Sequence, residues 1–383
     1  MIKDASKISV PQPIRGNLGG TDPGPRNVLL DQQNPDLLTP PTTDHGTIPN
    51  LKFSFGMARN RLQGAGWARE VTIRELPAAT TLAGVNMRLN PGGIRELHWH
   101  KEAEWGYVLD GQCRISGVDQ DGRNFLDDVG VGDIWNFPAG VAHSIQGLEE
   151  GVEFLLVFDD GHFSENQTFL ISDWFNRIPK EVLAKNFGVT EGDFDNLPSD
   201  VDRTRYIFPG KVPPPLASDK VAGAYGERSF SYHLSDRESA KFSGGSVKIV
   251  DSTIFPTAST VAVALVEIVP GGMRELHWHP YDEWQYYMEG KARMGVFASE
   301  HDARTFNYQA GDVGAVPFPF GHYVENLADT PLRYLEVFRA PRFVDFSLNQ
   351  WMALTPPELV QAHLNLNKTV MSSLRKEKWP VVK

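Results

Sequence analysis

The amino-acid sequence predicts an all-β protein made of two tandem, related domains with short flanking helices. The phrase "RELHWHKEAEW", starting at Arg95, returns almost unchanged as "RELHWHPYDEW", starting at Arg274. Around both copies, short runs of alternating apolar and polar residues are interrupted by Gly, Pro and Asp, which is typical of β-strands. The 383 residues include 35 Gly and 27 Pro, which favours many turns over long helices.

The repeat continues on both sides of this phrase at a constant offset. Gly92 and Gly271 are 179 positions apart, as are Arg95 and Arg274. The same offset relates four pairs of possible metal ligands, which are His98 and His277, His100 and His279, Glu104 and Glu283, and His143 and His322. Self-similarity at a fixed spacing over this length indicates a duplicated domain.

The two copies differ in length after the last histidine pair. "FLLVF" pairs with "YLEVF", and "WFNRIPKEVL", starting at Trp174, pairs with "WMALTPPELV", starting at Trp351. The first copy therefore has three extra residues between Phe158 and Trp174. An insertion beside a candidate site is where a functional loop is expected, so we predict a lid at residues 159–173.

The chain divides into four segments on these patterns. We predict an N-terminal arm at residues 1–50, which packs over another surface, and a first domain at 51–194 that contains the lid. A linker containing "VPPPLASD" follows at 195–228, and the second domain takes up 229–383. Each domain ends in a helical stretch that begins near a proline, "PKEVLAKNF" in the first and "PPELVQAHLNL" in the second.

Composition argues against several classes of function. A formal net charge of −11 without a basic stripe argues against a nucleic-acid-binding surface. No run of 18 apolar residues suggests a membrane span. Residues 1–16 lack the apolar core of a signal peptide, and the single cysteine, Cys113, fits a reducing compartment. We therefore expect a cytoplasmic protein that binds neither nucleic acid nor membrane.

Each copy of the phrase also predicts a metal site. In a strand, residues i and i+2 project from one face, so His98 and His100 point the same way. Glu104 follows four residues later, and His143 comes from a later strand or turn. Three imidazoles and one carboxylate suit Mn or Fe, and also Zn or Cu. The alternative is that duplication alone has preserved four unrelated residues, because a lone histidine is more often not a ligand.

The spacing resembles the two motifs of the cupin superfamily. The first copy reads G-x5-H-x-H-x3-E-x6-G from Gly92, then G-x5-P-x-G-x2-H from Gly132. The second copy departs only in the turn before its last histidine, "PFPFGH". The resemblance covers residues 50–383 and implies two β-barrel, jelly-roll-like domains, which is the organisation of a bicupin.

Among bicupins the wording is most similar to the oxalate decarboxylases, on the phrases "RELHWHKEAEW", "RELHWHPYDEWQYY", "FNYQAGDV", "GHYVEN" and "SENQT". The resemblance implies Mn in each of the two ligand sets, dioxygen as co-catalyst, and oxalate as the small-molecule substrate, with formate and carbon dioxide as products. It also implies a homo-oligomer, a hexamer built as a dimer of trimers.

Cleaving the C–C bond of oxalate needs an electron sink and a group that first accepts and then returns a proton. Glu165 is the candidate in the first domain, within the lid segment Ser164, Glu165, Asn166, Gln167 and Thr168. Its alternative role is a solvated loop charge. Glu336 is the candidate in the second domain, and its alternative role is a satisfied buried carboxylate.

The resemblance assigns substrate binding to Arg95 and, through the repeat, to Arg274. A guanidinium suits oxalate because it can polarise a carboxylate and stabilise developing charge. In an ideal strand, however, Arg95 would point away from His98, so a bend or bulge is required. The alternative partner is the neighbouring glutamate. Trp99 and Trp278 lie between paired ligands, and we expect them at an interface or in a core.

Three other functions remain as alternatives. Oxalate oxidases use the same ligands and substrate but release peroxide, and Gln167 stands where bacterial decarboxylases typically carry a small hydroxyl residue. Some iron-containing bicupins cleave aromatic rings. Seed-storage bicupins are not enzymes, but their ligand sets are expected to be eroded, whereas both sets here are intact. We favour the decarboxylase, with the first domain as the main catalytic site.

Overall fold

The structure is a computed structural model that describes residues 27–198, 206–221 and 229–383, together with the backbone of 12–13 and 25–26. Most of the predicted arm before residue 27 and parts of the predicted linker, 199–205 and 222–228, lie outside the described residues. Within the described part, no helix is long and apolar enough to cross a membrane.

Strands dominate the described residues, and the helices are short, as the sequence predicts. The strands are β1 (Gln12–Pro13), β2 (Pro25–Arg26), β3 (Lys52–Ser54), β4 (Arg61–Gln63), β5 (Gly66–Val71), β6 (Ala83–Leu89), β7 (Gly93–Trp99), β8 (Glu104–Val118), β9 (Asn124–Gly130), β10 (Ile134–Phe137), β11 (Ala142–Phe158), β12 (Phe169–Leu170), β13 (Ile207–Pro209), β14 (Ser231–Tyr232), β15 (Ala240–Phe242), β16 (Gly245–Val250), β17 (Ala262–Ile268), β18 (Met273–Trp278), β19 (Glu283–Glu289), β20 (Lys291–Phe297), β21 (Ala303–Gln309), β22 (Asp312–Val316), β23 (Gly321–Asn326), β24 (Leu332–Phe338), β25 (Phe346–Ser347) and β26 (Val381–Val382).

The helices are α1 (Val28–Gln33), α2 (Pro35–Leu38), α3 (Ile171–Asn176), α4 (Lys180–Phe187), α5 (Leu216–Asp219), α6 (Leu348–Ala353), α7 (Pro357–Leu364) and α8 (Lys368–Ser373). Helices α4 and α7 confirm the two predicted domain-terminal helices. Pro179 and Pro356 precede their first residues, where the missing N–H of proline removes no helical hydrogen bond.

The second domain is a sandwich of two antiparallel sheets. One sheet has the order β15-β16-β17-β24-β19-β22-β3, and the other has the order β21-β20-β23-β18-β25, with β26 also on β18. In the first domain β8 spans the equivalents of β19 and β20, and β11 spans the equivalents of β23 and β24. These two long strands therefore join the corresponding layers into one eleven-stranded sheet. The predicted all-β fold with two tandem jelly-roll-like domains is confirmed.

The first residues of each predicted domain add a strand to the other domain. Strand β3 pairs with β22 of the second domain, and β14 pairs with β10 of the first. Residues 27–50 also lie against the second domain, where Asp36 binds the Arg293 guanidinium at 2.8 and 2.9 Å. Each domain therefore depends on residues that lie at, or just before, the start of the other domain.

A shared apolar core joins the two domains. It contains Trp105 and Leu155 from the first domain and Trp284 and Leu335 from the second, all buried. A Cβ on Gly84 would lie 2.4 Å from the Trp284 ring, so only glycine admits the indole at this position. Because burial of apolar surface is the main stabilising term, we expect the domains to unfold together.

The extra residues of the first domain lie in the lid. Phe169 of β12 pairs with Trp99 of β7, as Phe346 of β25 pairs with Trp278 of β18. Between the preceding strand and this short strand, the first domain has residues 159–168, whereas the second has only 339–345. Strand β12 therefore anchors the far end of the lid to the strand that carries His98, and the three extra residues precede it.

Candidate metal centres and active site

The four predicted ligands of each domain come together inside their own sheets. In both sets the candidate ligand atoms lie within 4.8 Å of one another, and all eight residues are buried. The first set is His98, His100, Glu104 and His143, and the second is His277, His279, Glu283 and His322. The grouping is what a single ion held by three imidazoles and a carboxylate requires.

In both sets, every histidine is oriented by a hydrogen bond from its Nδ1 atom, the ring nitrogen that does not face the centre. The Nδ1 atoms of His98, His100 and His143 lie 2.5, 2.6 and 2.8 Å from backbone carbonyl oxygens. In the second set the corresponding distances are 2.6 Å for His277, 2.8 Å for His279 and 3.0 Å for His322. A carbonyl accepts only from N–H, so Nδ1 is protonated and Nε2 keeps its lone pair.

In the first set the charge states also suit a metal. Burial, followed by the nearby charge of Arg95, holds the pKa of His98 well below its ordinary value. Burial alone would raise the pKa of Glu104, but its closeness to His143 and His100 outweighs burial, so the pKa is lowered. A neutral imidazole and an ionised carboxylate are the forms that bind metal.

In the second set, four ligand atoms are buried and find no hydrogen-bond partner among the described residues, namely Nε2 of His277, His279 and His322 and Oε2 of Glu283. The Glu283 Oε2 atom lies 2.7 Å from the Nε2 of His322, but the angles do not make a hydrogen bond. Buried polar atoms without partners are costly, and four of them facing one point fit a bound cation.

Each ligand carboxylate is held by a donor that sequence reasoning missed. The Trp135 indole N–H donates to Oε1 of Glu104 at 2.9 Å. In the second domain, the Gln285 amide donates to Oε1 of Glu283 at 2.8 Å, and Tyr287 donates to that amide oxygen at 2.7 Å. These donors leave Oε2 of each glutamate for the ion. Comparison of the two sequence copies did not reveal these donors, because Trp135 and Gln285 lie on strands that are not equivalent in the two domains.

A β-bulge places Arg95 on the side of the ligands. On β11, His143 pairs with His98 and Ile145 pairs with Arg95, so three steps on β7 match two on its partner. The same shift occurs between Arg274 and His277 on β18. One extra residue reverses the alternation of a strand. The bulge that the sequence argument required is therefore present in both domains.

Arg95 is buried but keeps its positive charge unpaired. Its Nη1 donates to the Tyr206 carbonyl oxygen at 3.4 Å, and its guanidinium carbon lies 3.5 Å from the Tyr206 ring centroid. Among the described residues, Arg95 makes no ion pair with a carboxylate. Stacking on an aromatic face fixes the direction of a guanidinium without neutralising it. The sequence gave no signal for Tyr206, which falls inside the predicted linker.

Glu165 reaches the same tyrosine from the lid. It lies in a short 3-10 turn, Glu165–Gln167, and is 7% exposed. Its Oε1 accepts a hydrogen bond from the Tyr206 hydroxyl, and its backbone N–H donates to Oε2 of Glu70 at 3.2 Å. Burial raises the pKa of Glu165, and this outweighs the hydrogen bond from Tyr206 and the charge of Arg95, which lower it.

The rest of the lid lies around Glu165. Asn166 is exposed and accepts a hydrogen bond through Oδ1 from Arg61 at 3.1 Å. Gln167 is exposed, whereas the Thr168 hydroxyl oxygen is buried without a partner. Just before Ser164, the Phe163 ring stacks on Phe158 at 3.6 Å and lies 6.2 Å from the His100 ring.

The second domain neutralises its arginine. The Arg274 Nε donates to Oε1 of Glu336 at 3.0 Å, and Nη2 donates to Oδ2 of Asp345 at 2.6 Å. Tyr334 donates to the same Glu336 oxygen at 2.9 Å, while Oε2 of Glu336 has no partner. Sequence reasoning missed Asp345, which has no equivalent in the first domain. The structure thus brings Arg274 and Glu336 together, but as an ion pair with each other.

The tryptophans between the ligands point outward. Trp99 stacks on Phe169 at 5.5 Å and meets Trp174 edge to face at 5.3 Å. Trp278 repeats the arrangement with Phe346 and Trp351 at 5.5 and 5.6 Å. Trp174 and Trp351 are more than half exposed, so each cluster ends at the surface of the chain.

Comparisons with known proteins agree with this architecture. The family model described as Cupin matches residues 54–193 and 232–372. The chain is 58% identical over 377 residues to oxalate decarboxylase OxdC of Bacillus subtilis (strain 168), covering 98% of this chain and 97% of the relative. It is 42% identical over 382 residues to a probable oxalate decarboxylase of Arthroderma benhamiae, covering 97% and 93%. A solved structure of the Bacillus subtilis enzyme, from work on its Mn(II) centres, matches with a TM-score of 0.93 at 58% identity, covering 98% of this chain and all of that one.

Proposed function

Because the chain belongs to the cupin family and, within it, to the oxalate decarboxylases, we propose that it cleaves oxalate to formate and carbon dioxide. The main support for this proposal is that two side chains meet at one tyrosine, namely a lid carboxyl and an arginine that forms no ion pair with any described residue. Arg95 and Glu165 both contact Tyr206, and Arg95 lies beside the ligand His98. We place the reaction at this first centre.

We propose that manganese occupies both centres and that dioxygen is the co-catalyst. His98, His100, Glu104 and His143 would hold the first ion, and the equivalent set would hold the second. Together, the metal and dioxygen supply a reversible one-electron sink that makes cleavage of the C–C bond accessible. The remaining requirements fall to the side chains of the chain itself.

Arg95 binds and orients the substrate in this proposal. Its guanidinium offers parallel N–H groups that match a carboxylate, and no ion pair within the described residues competes for them. Stacking on Tyr206 fixes the plane of the guanidinium before oxalate arrives. A fixed donor near the reacting carboxylate stabilises the charge that develops there, with little reorganisation during the reaction.

Glu165 transfers the proton. The oxalate monoanion carries one acidic proton, and its conversion to formate and carbon dioxide takes up no net proton or electron. The group that removes this proton must therefore return it to carbon once carbon dioxide has left. Glu165 can do both because its pKa is raised by burial, which brings proton exchange towards mildly acidic pH.

The lid excludes water while this occurs. Glu165 is almost fully buried in the closed arrangement, and Phe163 and Phe158 cover the centre next to His100. Exclusion of water keeps the intermediate from escaping protonation by Glu165 and strengthens the interaction of Arg95 with its ligand. This favours the decarboxylase over the oxidase, since the acid is already in place.

The second centre supports the first in our proposal. There, turnover with Glu336 as the acid–base group and Arg274 as the substrate ligand first requires the ion pairs of Arg274 to open. Both Glu336 and Asp345 compete with oxalate for this guanidinium. In the first domain, no described carboxylate forms an ion pair with Arg95 that would compete in this way.

We also propose, from the family resemblance, a homohexamer built as a dimer of trimers in the cytoplasm. The exposed tryptophans at the ends of the Trp99 and Trp278 clusters offer apolar surface for contacts between chains. Burial raises the pKa of the Cys113 thiol, which leaves the only cysteine unreactive and suits a reducing compartment.

Metal exchange tests the need for a redox-active ion. Removal of metal by a chelator should abolish formate release, and Mn(II) should restore it. Zn(II) should occupy the same ligands and raise the melting temperature equally, because binding to the folded state stabilises it, yet give no activity. Metal analysis of each sample serves as the control for occupancy. Full activity with Zn(II) would show that the reaction does not need a redox-active metal.

The Tyr206→Phe variant tests the assignment of the proton carrier. The lost hydroxyl stabilised the charged form of Glu165, so the pKa of this carboxyl should rise further. Glu165 must be ionised to accept a proton, and the acidic limb of the kcat profile should therefore move to higher pH. Tyr334→Phe, which removes the hydroxyl bound to Glu336, is the matched control. An acidic limb that stays in place or moves down would contradict the role of Glu165.

A further inference from the structure

We propose that Arg61 is a positioning residue that holds the lid closed and thereby directs the reaction to formate instead of peroxide. This inference rests on the proposed function and names a residue outside the lid that controls it. Arg61 lies on β4, an edge strand paired with β5 through Arg61 and Ala68. It therefore belongs to the scaffold, while the groups that it contacts belong to the lid.

Arg61 contacts the side chains of two successive lid residues. Its Nη2 donates to Oδ1 of Asn166 at 3.1 Å, and its Nη1 lies 3.8 Å from Oε2 of Glu165. Its guanidinium carbon lies 4.4 Å from the ring centroid of Tyr206, the residue that also contacts Arg95. One side chain thus joins the lid, the acid–base group and the tyrosine of the substrate-binding arginine.

The partners of Arg61 distinguish it from a purely structural arginine. Among the described residues, its only ion-pair partner is Glu165, and its only hydrogen-bond acceptor is Asn166. Arg69, on the neighbouring strand, is instead held by the scaffold, through Asn86 at 3.0 and 2.9 Å and a backbone carbonyl at 3.3 Å. All polar contacts of Arg61 are therefore lost when the lid opens.

Loss of the Arg61 contacts changes the product of the reaction because it favours the open lid. Without its contacts to Arg61, the segment Ser164–Thr168 loses a charge-assisted hydrogen bond and an attraction to Glu165, so open states gain population. In an open state the acid is displaced from the substrate, and the intermediate gives up its remaining electron and leaves as a second carbon dioxide. Together with the electron already withdrawn from oxalate, this electron reduces dioxygen to peroxide, which takes the proton of the oxalate monoanion and one from solvent, so no formate forms. Arg61 therefore controls the ratio of the two products.

The same surface provides a matched control. Arg61 lines a cavity of about 430 Å³ next to the lid, together with Arg59. Arg59 is exposed and makes no hydrogen bond or ion pair within the part of the chain that the structure describes. The Arg59→Gln variant removes the same charge from the same cavity without touching the lid. This control distinguishes the effect of direct Arg61 contacts with the lid from the effect of positive charge that attracts oxalate to the cavity.

The test compares Arg61→Gln, Arg61→Lys and Arg59→Gln as Mn-loaded enzymes in air. For Arg61→Gln we expect the peroxide-to-formate ratio to rise about tenfold, the effect of losing one charge-assisted hydrogen bond, with metal content unchanged. Arg61→Lys should recover part of the wild-type ratio, and Arg59→Gln should leave it unchanged. Hydrogen exchange of the peptide covering residues 159–173 should quicken only in the Arg61 variants, whether or not substrate is present.

Asn166→Ala completes the test. It should raise the peroxide share as Arg61→Gln does, and the double variant should be no worse than Arg61→Gln alone, because both single changes break the same contact. An unchanged product ratio and unchanged lid exchange in Arg61→Gln would overturn the proposal, as would an equal effect from Arg59→Gln. If wild-type enzyme itself released no formate from oxalate, the proposed function would fail instead, and lid exchange alone would then decide on Arg61.

Discussion

Replacing Glu165 with glutamine is expected to lower the rate of formate release by about 10²- to 10⁴-fold, the usual contribution of a positioned acid–base group. The amide has nearly the same size and can still accept the hydrogen bond from Tyr206, so the lid should close as before. It cannot take up or return a proton. Metal analysis of the purified variant should find both centres filled, because Glu165 is not among the ligands.

The matched control is the same change in the second domain. Glu336→Gln alters an equally buried carboxylate beside an arginine, but one that is bound to Arg274. We expect it to lower stability while leaving the rate of formate release per folded, metal-loaded molecule within a few-fold of wild type. Full decarboxylation by Glu165→Gln, or an equal loss in Glu336→Gln, would mean that the first domain alone does not carry the chemistry.

The second large effect should come from Arg95. Arg95→Met is expected to reduce kcat/KM for oxalate by about 10²- to 10³-fold, comparable to removing one fixed donor from an anion-stabilising site. The melting temperature should change little, since Arg95 makes no ion pair among the described residues and methionine can still pack on the Tyr206 ring. Steady-state kinetics and thermal unfolding measured on one preparation would show both effects.

The equivalent change in the second domain should fail in a different way. Arg274→Met leaves Glu336 and Asp345 buried beside an apolar side chain. Removing one partner of a buried ion pair typically destabilises a protein by about 3–5 kcal/mol. We therefore expect a lower melting temperature and reduced yield, but near-normal kinetics from the folded fraction. Loss of stability in Arg95→Met with retained kinetics would reverse the roles of the two arginines.

The metal ligands could be predicted from sequence because local geometry determines most of their arrangement. His-x-His on one strand face needs only the alternation of a strand, and the repeat supplied a second example at the same offset. The position of the longer first-domain loop was also predictable, because three extra residues in one copy of a duplicated domain are visible in the alignment of the two copies. The direction of Arg95 was not, because it depends on a bulge in the pairing of β7 with β11, which the sequence pattern does not encode.

Other parts of the site depend on contacts between distant segments. Tyr206 is 111 residues from Arg95 and lies just before β13, a strand of three residues that is too short to show a period. Asp345 lies in the shorter second-domain loop, residues 339–345, where the sequence pattern indicated no site residue. The exchanged strands β3 and β14 escaped prediction for the same reason, since two or three residues carry no alternation.

Gln167, which differs from the residue typical of bacterial oxalate decarboxylases, does not disturb the position of Glu165. The sequence raised the oxidase because bacterial decarboxylases typically carry a small hydroxyl residue there. In the structure the Gln167 side chain is exposed, while Glu165, at the start of the same 3-10 turn, is buried against Tyr206. A longer side chain at this position is therefore accommodated in solvent without displacing the acid. The product ratio remains the direct test of this interpretation.

The central claim is that this chain decarboxylates oxalate with a proton carrier in its lid. It is tested most directly by giving oxalate to Mn-loaded protein at mildly acidic pH in air and measuring formate and peroxide in the same sample. We expect nearly one formate for each oxalate consumed, with peroxide as a minor product. Peroxide without formate would instead make the protein an oxidase. The absence of both formate and peroxide would contradict the proposed function altogether.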